Sequence, residues 1–175
     1  WWHPADANRP SRHAAILVEG FPGGYAHGYL YEMFNQHGML RTLQKRGYDV
    51  LLVGFANGLD RVEHNALTIR AAVATATAEG YESLVVGGVS MGGLVVRYAL
   101  TEMESLGVDH ATRVFFTIDT PHRGAYTSYA VQWFVQYFAK TIPEMAQFSG
   151  LLNSPSNQQF ITNWFDGQTV APSPM

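Results

Sequence analysis

Four short apolar runs punctuate the first two thirds of the chain: Ala14-Ala15-Ile16-Leu17-Val18, Tyr48 to Val53, Ser83 to Val89, and Arg113 to Ile118. Each is rich in β-branched residues and apolar on both faces, the pattern of strands buried in a parallel sheet. The segments between them follow a helical period. Val62, Ala66, Ile69, Val73 and Ala76 share one face, and so do Leu30, Met33, Phe34, Leu40 and Leu43 before a stop at Gly47. Leu94, Val95, Tyr98, Ala99 and Met103 do the same between Leu94 and Leu106. Strands alternating with helices predict βαβ units with right-handed crossovers. The fold class is therefore α/β, a mostly parallel sheet with helices on both faces.

After Gly124 the pattern changes. Tyr126, Tyr129, Trp133, Phe134, Tyr137 and Phe138 crowd one short helical window. They read either as a helix packed on the sheet or as a cap whose aromatic face lines an acyl pocket. The expected organisation is a core over residues 1–125 and an aromatic, lid-like helical segment over 126–175 in the same domain. From Ser149 onward the chain turns to Ser, Asn, Gln and Pro, with Phe160, Ile161, Trp164 and Phe165 as an apolar patch. No further strand is predicted there.

Composition narrows the classes. At 175 residues and 47% hydrophobic, the chain is long enough to bury one core. A formal net charge of −3 gives no electrostatic case for nucleic acid. Cysteine is absent, which removes disulfides and thiol chemistry. No apolar run approaches the roughly 18 residues of a transmembrane helix. No His, Asp or Glu cluster has ligand spacing, so neither a metal nor an organic cofactor is expected. The chain starts Trp1-Trp2-His3-Pro4 without an initiating Met, which reads as a processed or trimmed beginning.

The chemistry concentrates at Gly87-Gly88-Val89-Ser90-Met91-Gly92-Gly93. This stretch joins the third strand to the helix after it, and Gly-x-Ser-x-Gly at such a corner is the pattern of a nucleophile elbow. The serine must take a strained conformation for its hydroxyl to project, and glycines two residues either side remove the collisions. A phosphate loop is the bland alternative. It fails because no Lys follows the glycines and the Gly-x-Gly-x-x-Gly spacing is missing.

An elbow serine needs an oxyanion hole, a base and an acid that orients the base. Met91, after the serine, supplies one expected amide. The other comes from Glu19-Gly20-Phe21-Pro22-Gly23-Gly24, directly after the first strand. By position it is Phe21, since Pro22 has no N–H to donate. A charged Glu19 would oppose a developing oxyanion, so its side chain is expected to point away or to be partnered. Asp119, at the end of the fourth strand, is the candidate acid. Only His110 and His122 follow Ser90. His110 reads as a surface residue of a polar turn, and His122 either as a pin for its loop or as the catalytic base.

Ser90 to Leu100 (Ser-Met-Gly-Gly-Leu-Val-Val-Arg-Tyr-Ala-Leu) followed by Asp119 to Ala125 (Asp-Thr-Pro-His-Arg-Gly-Ala) resembles the α/β-hydrolase superfamily. The likeness is strongest to lipase-like esterases, secreted bacterial members among them, which favours export over a cytoplasmic location. It spans roughly Ala14 to Phe160. It implies the α/β-hydrolase fold with an incomplete C-terminal part. It also implies a Pro-His loop that is structural, and an acid and His on later strands, beyond Met175 or on another chain. A chain without them should leave the sheet edge open beyond Ile118. The implied activity is cleavage of a small-molecule or lipid carboxylic ester through an acyl-enzyme on Ser90. A thioesterase or acyltransferase with the same intermediate, and a binding module without catalysis, are the alternatives.

Overall fold

The computed structural model describes residues 1–5, 11–165 and 168–172. Their elements run β1 (Trp2–His3), β2 (His13–Val18), α1 (His27–Phe34), α2 (Met39–Lys45), β3 (Tyr48–Val53), α3 (Val62–Ala78), β4 (Ser83–Val89), α4 (Met91–Ser105) and β5 (Thr112–Ile118). Then follow α5 (Tyr129–Phe138), α6 (Pro143–Leu152), α7 (Pro155–Phe160), β6 (Asn163–Phe165) and β7 (Val170–Pro172). The chain divides into two compact units. Trp1–Gly58 with Glu63–Thr120 form the first, and Leu59–Val62 with Pro121–Met175 the second.

The first unit carries a five-stranded sheet in the order β1-β3-β2-β4-β5. All neighbours are parallel except β1, which runs antiparallel to β3. Register explains the layering. Ala15 lies beside Val50 and Leu17 beside Leu52, so alternate residues of β2 and β3 point to one face. There they form one cluster with Leu30 and Phe34 of α1 and Leu40 of α2. On the other face the helices approach closely: a Cβ at Gly93 of α4 would lie 2.8 Å from Cγ2 of Thr117 in β5. Of the predicted stripe of α3, Ala66, Ile69, Val73 and Ala76 are fully buried, while Val62 at the start of the helix is half-buried. Each fully buried Leu, Ile or Val side chain contributes about 1.5–3 kcal/mol. β5 is the sheet's outer strand on its side, and Val114, Phe115 and Ile118 on it are exposed.

Two departures from the sequence pattern have local causes. The helix expected through Leu30 to Leu43 is broken between Phe34 and Met39, where His37 (φ 56°) and Gly38 (φ 73°) take left-handed conformations. Such residues terminate a right-handed helix. The segment after Ser149 is not strand-free, contrary to expectation. β6 and β7 form an antiparallel hairpin within the second unit. Side chains on α5 hold its outer edge. Gln132, almost completely buried, donates from Nε2 to the carbonyls of Thr127 (2.9 Å) and Asn163 (3.0 Å). Its Oε1 accepts from Phe165 N–H at 2.9 Å. Gln136, one turn later, donates to Phe165 O at 2.6 Å. A three-residue strand depends on such partners, which its own sequence does not reveal.

Candidate active site

The first unit reverses strand order at β2. β3 lies on one side of it and β4 on the other, and the register sets Val18 beside Gly88. The carboxyl ends of β2 and β4 thus sit together at a topological switch point, where α/β sheets form their ligand crevices. Ser90 follows β4 at this point and opens α4.

Ser90 has φ 52° and ψ −124°, a conformation that L residues other than glycine rarely adopt. Among the described residues, four non-glycine positions have positive φ: His37, Ala111, Ser90 and Asp119. The last two are the candidate nucleophile and the candidate acid. The strain at Ser90 is held by its surroundings. Its N–H donates to Ile118 O at 2.8 Å, and its carbonyl accepts from Thr120 Oγ1 at 2.9 Å. Asp119 lies between these two partners in sequence, and is exposed with φ 48°.

The surrounding glycines are sites of close approach. A Cβ at Gly88 would lie 2.5 Å from the carbonyl carbon of Gly92 and 2.7 Å from Gly93 N. At Gly92 it would overlap the carbonyl oxygen of Glu19, and at Gly93 the Thr120 hydroxyl. At Gly20 it would lie 3.2 Å from Ser90 Cβ and 3.1 Å from Val89 O. The loop after β2 therefore runs directly against the serine corner. Phe21 follows Gly20 in this loop, and its carbonyl accepts from the Tyr25 hydroxyl at 3.3 Å. Met91, fully buried, is the first residue of α4, so its amide belongs to the positive end of the helix dipole.

Glu19 is completely buried, and its carboxylate accepts from three backbone N–H groups, those of Gly24 (2.8 Å), Tyr25 (3.1 Å) and Phe55. Partnering, one of the two outcomes expected for this side chain, is what occurs. Burial, the neighbouring Tyr29 and the Glu19 charge together push the Tyr25 hydroxyl above its ordinary pKa.

The histidines are dispersed. His110 sits beyond the far end of α4, with Nε2 3.4 Å from Glu104. His122 is exposed in the second unit, in a turn closed by Gly124 N–H to Pro121 O at 2.9 Å. His3 and His27 contact each other through Nε2 atoms 2.9 Å apart, and burial followed by the His27 charge lowers the His3 pKa. No group of three or more His, Cys, Asp or Glu among the described residues could hold a metal ion. No described helix is long and apolar enough to cross a membrane.

Sequence reasoning did not single out Thr120. Its place beside Asp119 in Asp119-Thr120-Pro121-His122 was the available signal, but the hydrogen bond to Ser90 requires β5 to lie next to β4.

Solved structures share this fold. The mature form of a Bacillus licheniformis lipase matches with a TM-score of 0.61 and 18% identity, over 93% of this chain and 61% of that one. The propeptide form of the same lipase matches with a TM-score of 0.59 and 16% identity, over 93% of this chain and 33% of that one. A thioesterase from Streptomyces coelicolor aligns with a TM-score of 0.47 at 16% identity, over 83% of this chain and 57% of that one. No protein-family model and no curated protein matches the sequence. The chain has the α/β-hydrolase fold. It spans less than two thirds of the lipase it resembles.

Proposed function

We propose that the chain is a serine hydrolase that cleaves carboxylic esters, of the lipase or esterase type. The observation that carries this reading is the serine corner: Ser90 strained at φ 52° at the switch point, with Gly20 of the β2 loop against its Cβ. Ser90 Oγ attacks the ester carbonyl while its proton passes to a histidine base. The tetrahedral oxyanion is held by the Phe21 and Met91 amides. Collapse expels the alcohol, which takes the proton from the base, and water then releases the acid from the acyl-enzyme.

Asp119 is the proposed acid that orients the base. Its support is its place between Ile118 and Thr120, both bonded to the Ser90 backbone. His110 is not the base, because α4 separates its Glu104 partner from Ser90 by about 20 Å at 1.5 Å per residue. The aromatic segment 126–175 is the proposed lid. Within it Tyr129, Ala130, Trp133, Phe134 and Phe165 line an open apolar hollow, a surface suited to a hydrocarbon chain.

Labelling with a fluorophosphonate tests the assignment. Wild type should be labelled at Ser90 and Ser90→Ala should not, and covalent capture at another serine would overturn it. Adding an alcohol or amine acceptor during turnover separates hydrolysis from acyl transfer, since only a transferase forms the transfer product in water.

A further inference from the structure

We propose that Glu19 is the positioning residue of the oxyanion loop: its buried carboxylate gathers the amides that hold Gly20 and Phe21 against Ser90. The catalytic half of this inference rests on the ester-hydrolase reading above; the structural half does not.

The carboxylate joins two loops that diverge after paired strands. β2 and β3 are in register to Val18 and Val53, and one backbone bond follows, from Glu19 N–H to Val53 O at 3.2 Å. Beyond that point sheet pairing no longer serves the amides. The Glu19 side chain takes over, accepting from Phe55 after β3 and from Gly24 and Tyr25 in its own loop. Bonding to amides five and six residues ahead curls the loop into a closed turn. Only an acceptor with two oxygens can serve three donors in this way, and a carboxylate has no proton to misplace among them.

The curl is fixed from outside as well. A Cβ at Gly23 would lie 2.9 Å from Gly58 Cα, and one at Gly58 would overlap the Pro22 carbonyl. From inside, the Tyr25 hydroxyl holds the Phe21 carbonyl, which sets the plane of the Phe21–Pro22 peptide. A continuous line of contacts therefore runs from the carboxylate through the loop to Ser90 Cβ. The same bonds orient the carboxylate oxygens toward N–H donors. A group that would oppose an oxyanion is thereby turned into the anchor of the loop expected to bind one.

The test is Glu19→Gln in the intact protein. This variant keeps the shape but presents an NH₂ group to N–H donors. Hydrogen exchange over residues 20–25 and at Phe55 should accelerate at least tenfold, with exchange in α3 and α4 unchanged. On a short-chain p-nitrophenyl ester, kcat should fall about 10- to 100-fold with KM within twofold, as expected when an oxyanion donor is displaced. Affinity for a boronic acid, which forms the tetrahedral adduct on the serine, should fall in parallel. Glu19→Asp, whose carboxylate is one methylene short, should show the same pattern. Unchanged exchange in the loop overturns the proposal, and so does a kcat equal to wild type. Global unfolding of both variants also overturns it, because Glu19 would then support the whole core rather than one loop. A wild type with neither turnover nor fluorophosphonate labelling sinks the hydrolase reading instead, and the exchange measurement still decides the role of Glu19.

Discussion

In the loop after β2, one buried carboxylate satisfies three backbone amides, whereas along β6 two glutamine side chains satisfy both kinds of backbone group. In both regions side chains serve backbone polar groups that strand pairing leaves without partners. A carboxylate only accepts, so it draws N–H groups together and curls the loop around itself. An amide side chain both donates and accepts, so Gln132 and Gln136 can stand in for a neighbouring strand. The surroundings differ as well. The β2 loop and the serine corner meet through glycines with backbone against backbone. In the second unit Trp133, Phe134 and Tyr137 of α5 remain about half exposed, and nothing lies within 4 Å of a Cβ placed on Gly150. A region built on backbone approach tolerates no added atom. One built on side-chain bonds loses only the bonds removed.

This contrast can be broken by substitution. The largest effect is expected at Gly92→Ala, whose methyl group would overlap the Glu19 carbonyl oxygen. Neither partner can yield without moving a strand end, so a loss of about 4 kcal/mol or more is expected in chemical denaturation, or no folded protein at all. A loss below about 1 kcal/mol would show that the corner is not closely packed.

Gln132→Ala comes next. It leaves the Thr127 and Asn163 carbonyls and the Phe165 N–H without their partner, at a cost of about 2–3 kcal/mol. Hydrogen exchange should rise at residues 163–165 while protection of β2 and β4 is retained. Unchanged protection along β6 would mean that the glutamine is not the strand's partner.

The smallest effect sharpens the comparison from the other side. Gly150→Ala lies inside α6 in open space, and should stabilise the protein by about 0.5–1 kcal/mol in the same assay. The same substitution, glycine to alanine, thus has opposite signs at Gly92 and at Gly150.

Much of the fold was legible because its signals are local. The runs at Ala14, Tyr48, Ser83 and Arg113 became β2, β3, β4 and β5 within a residue at either end. β2 and β3 are buried almost throughout, as a strand covered on both faces must be apolar, whereas β5, expected to be buried, is the outer strand and leaves Val114, Phe115 and Ile118 exposed. The α3 stripe was equally plain, because one face of a helix repeats in sequence. β1 is two residues long and has no period to read. β6 takes its stabilising partners from α5, 29 to 33 residues earlier in the chain, so nothing in its own composition marks it as a strand. Within the candidate site, the glycines around Ser90 announced a tight corner.

The sequence by itself determined the α/β class, the place of the serine corner and the need for a loop after β2, because each follows from neighbouring residues that meet in any folded state. What each glycine makes room for was decided only by the tertiary structure. So were the bond from Thr120 to Ser90 and the three amides gathered by Glu19. These contacts join β2 to β3, β4 and β5, and the order of strands in a sheet is set by long-range packing that no local pattern encodes.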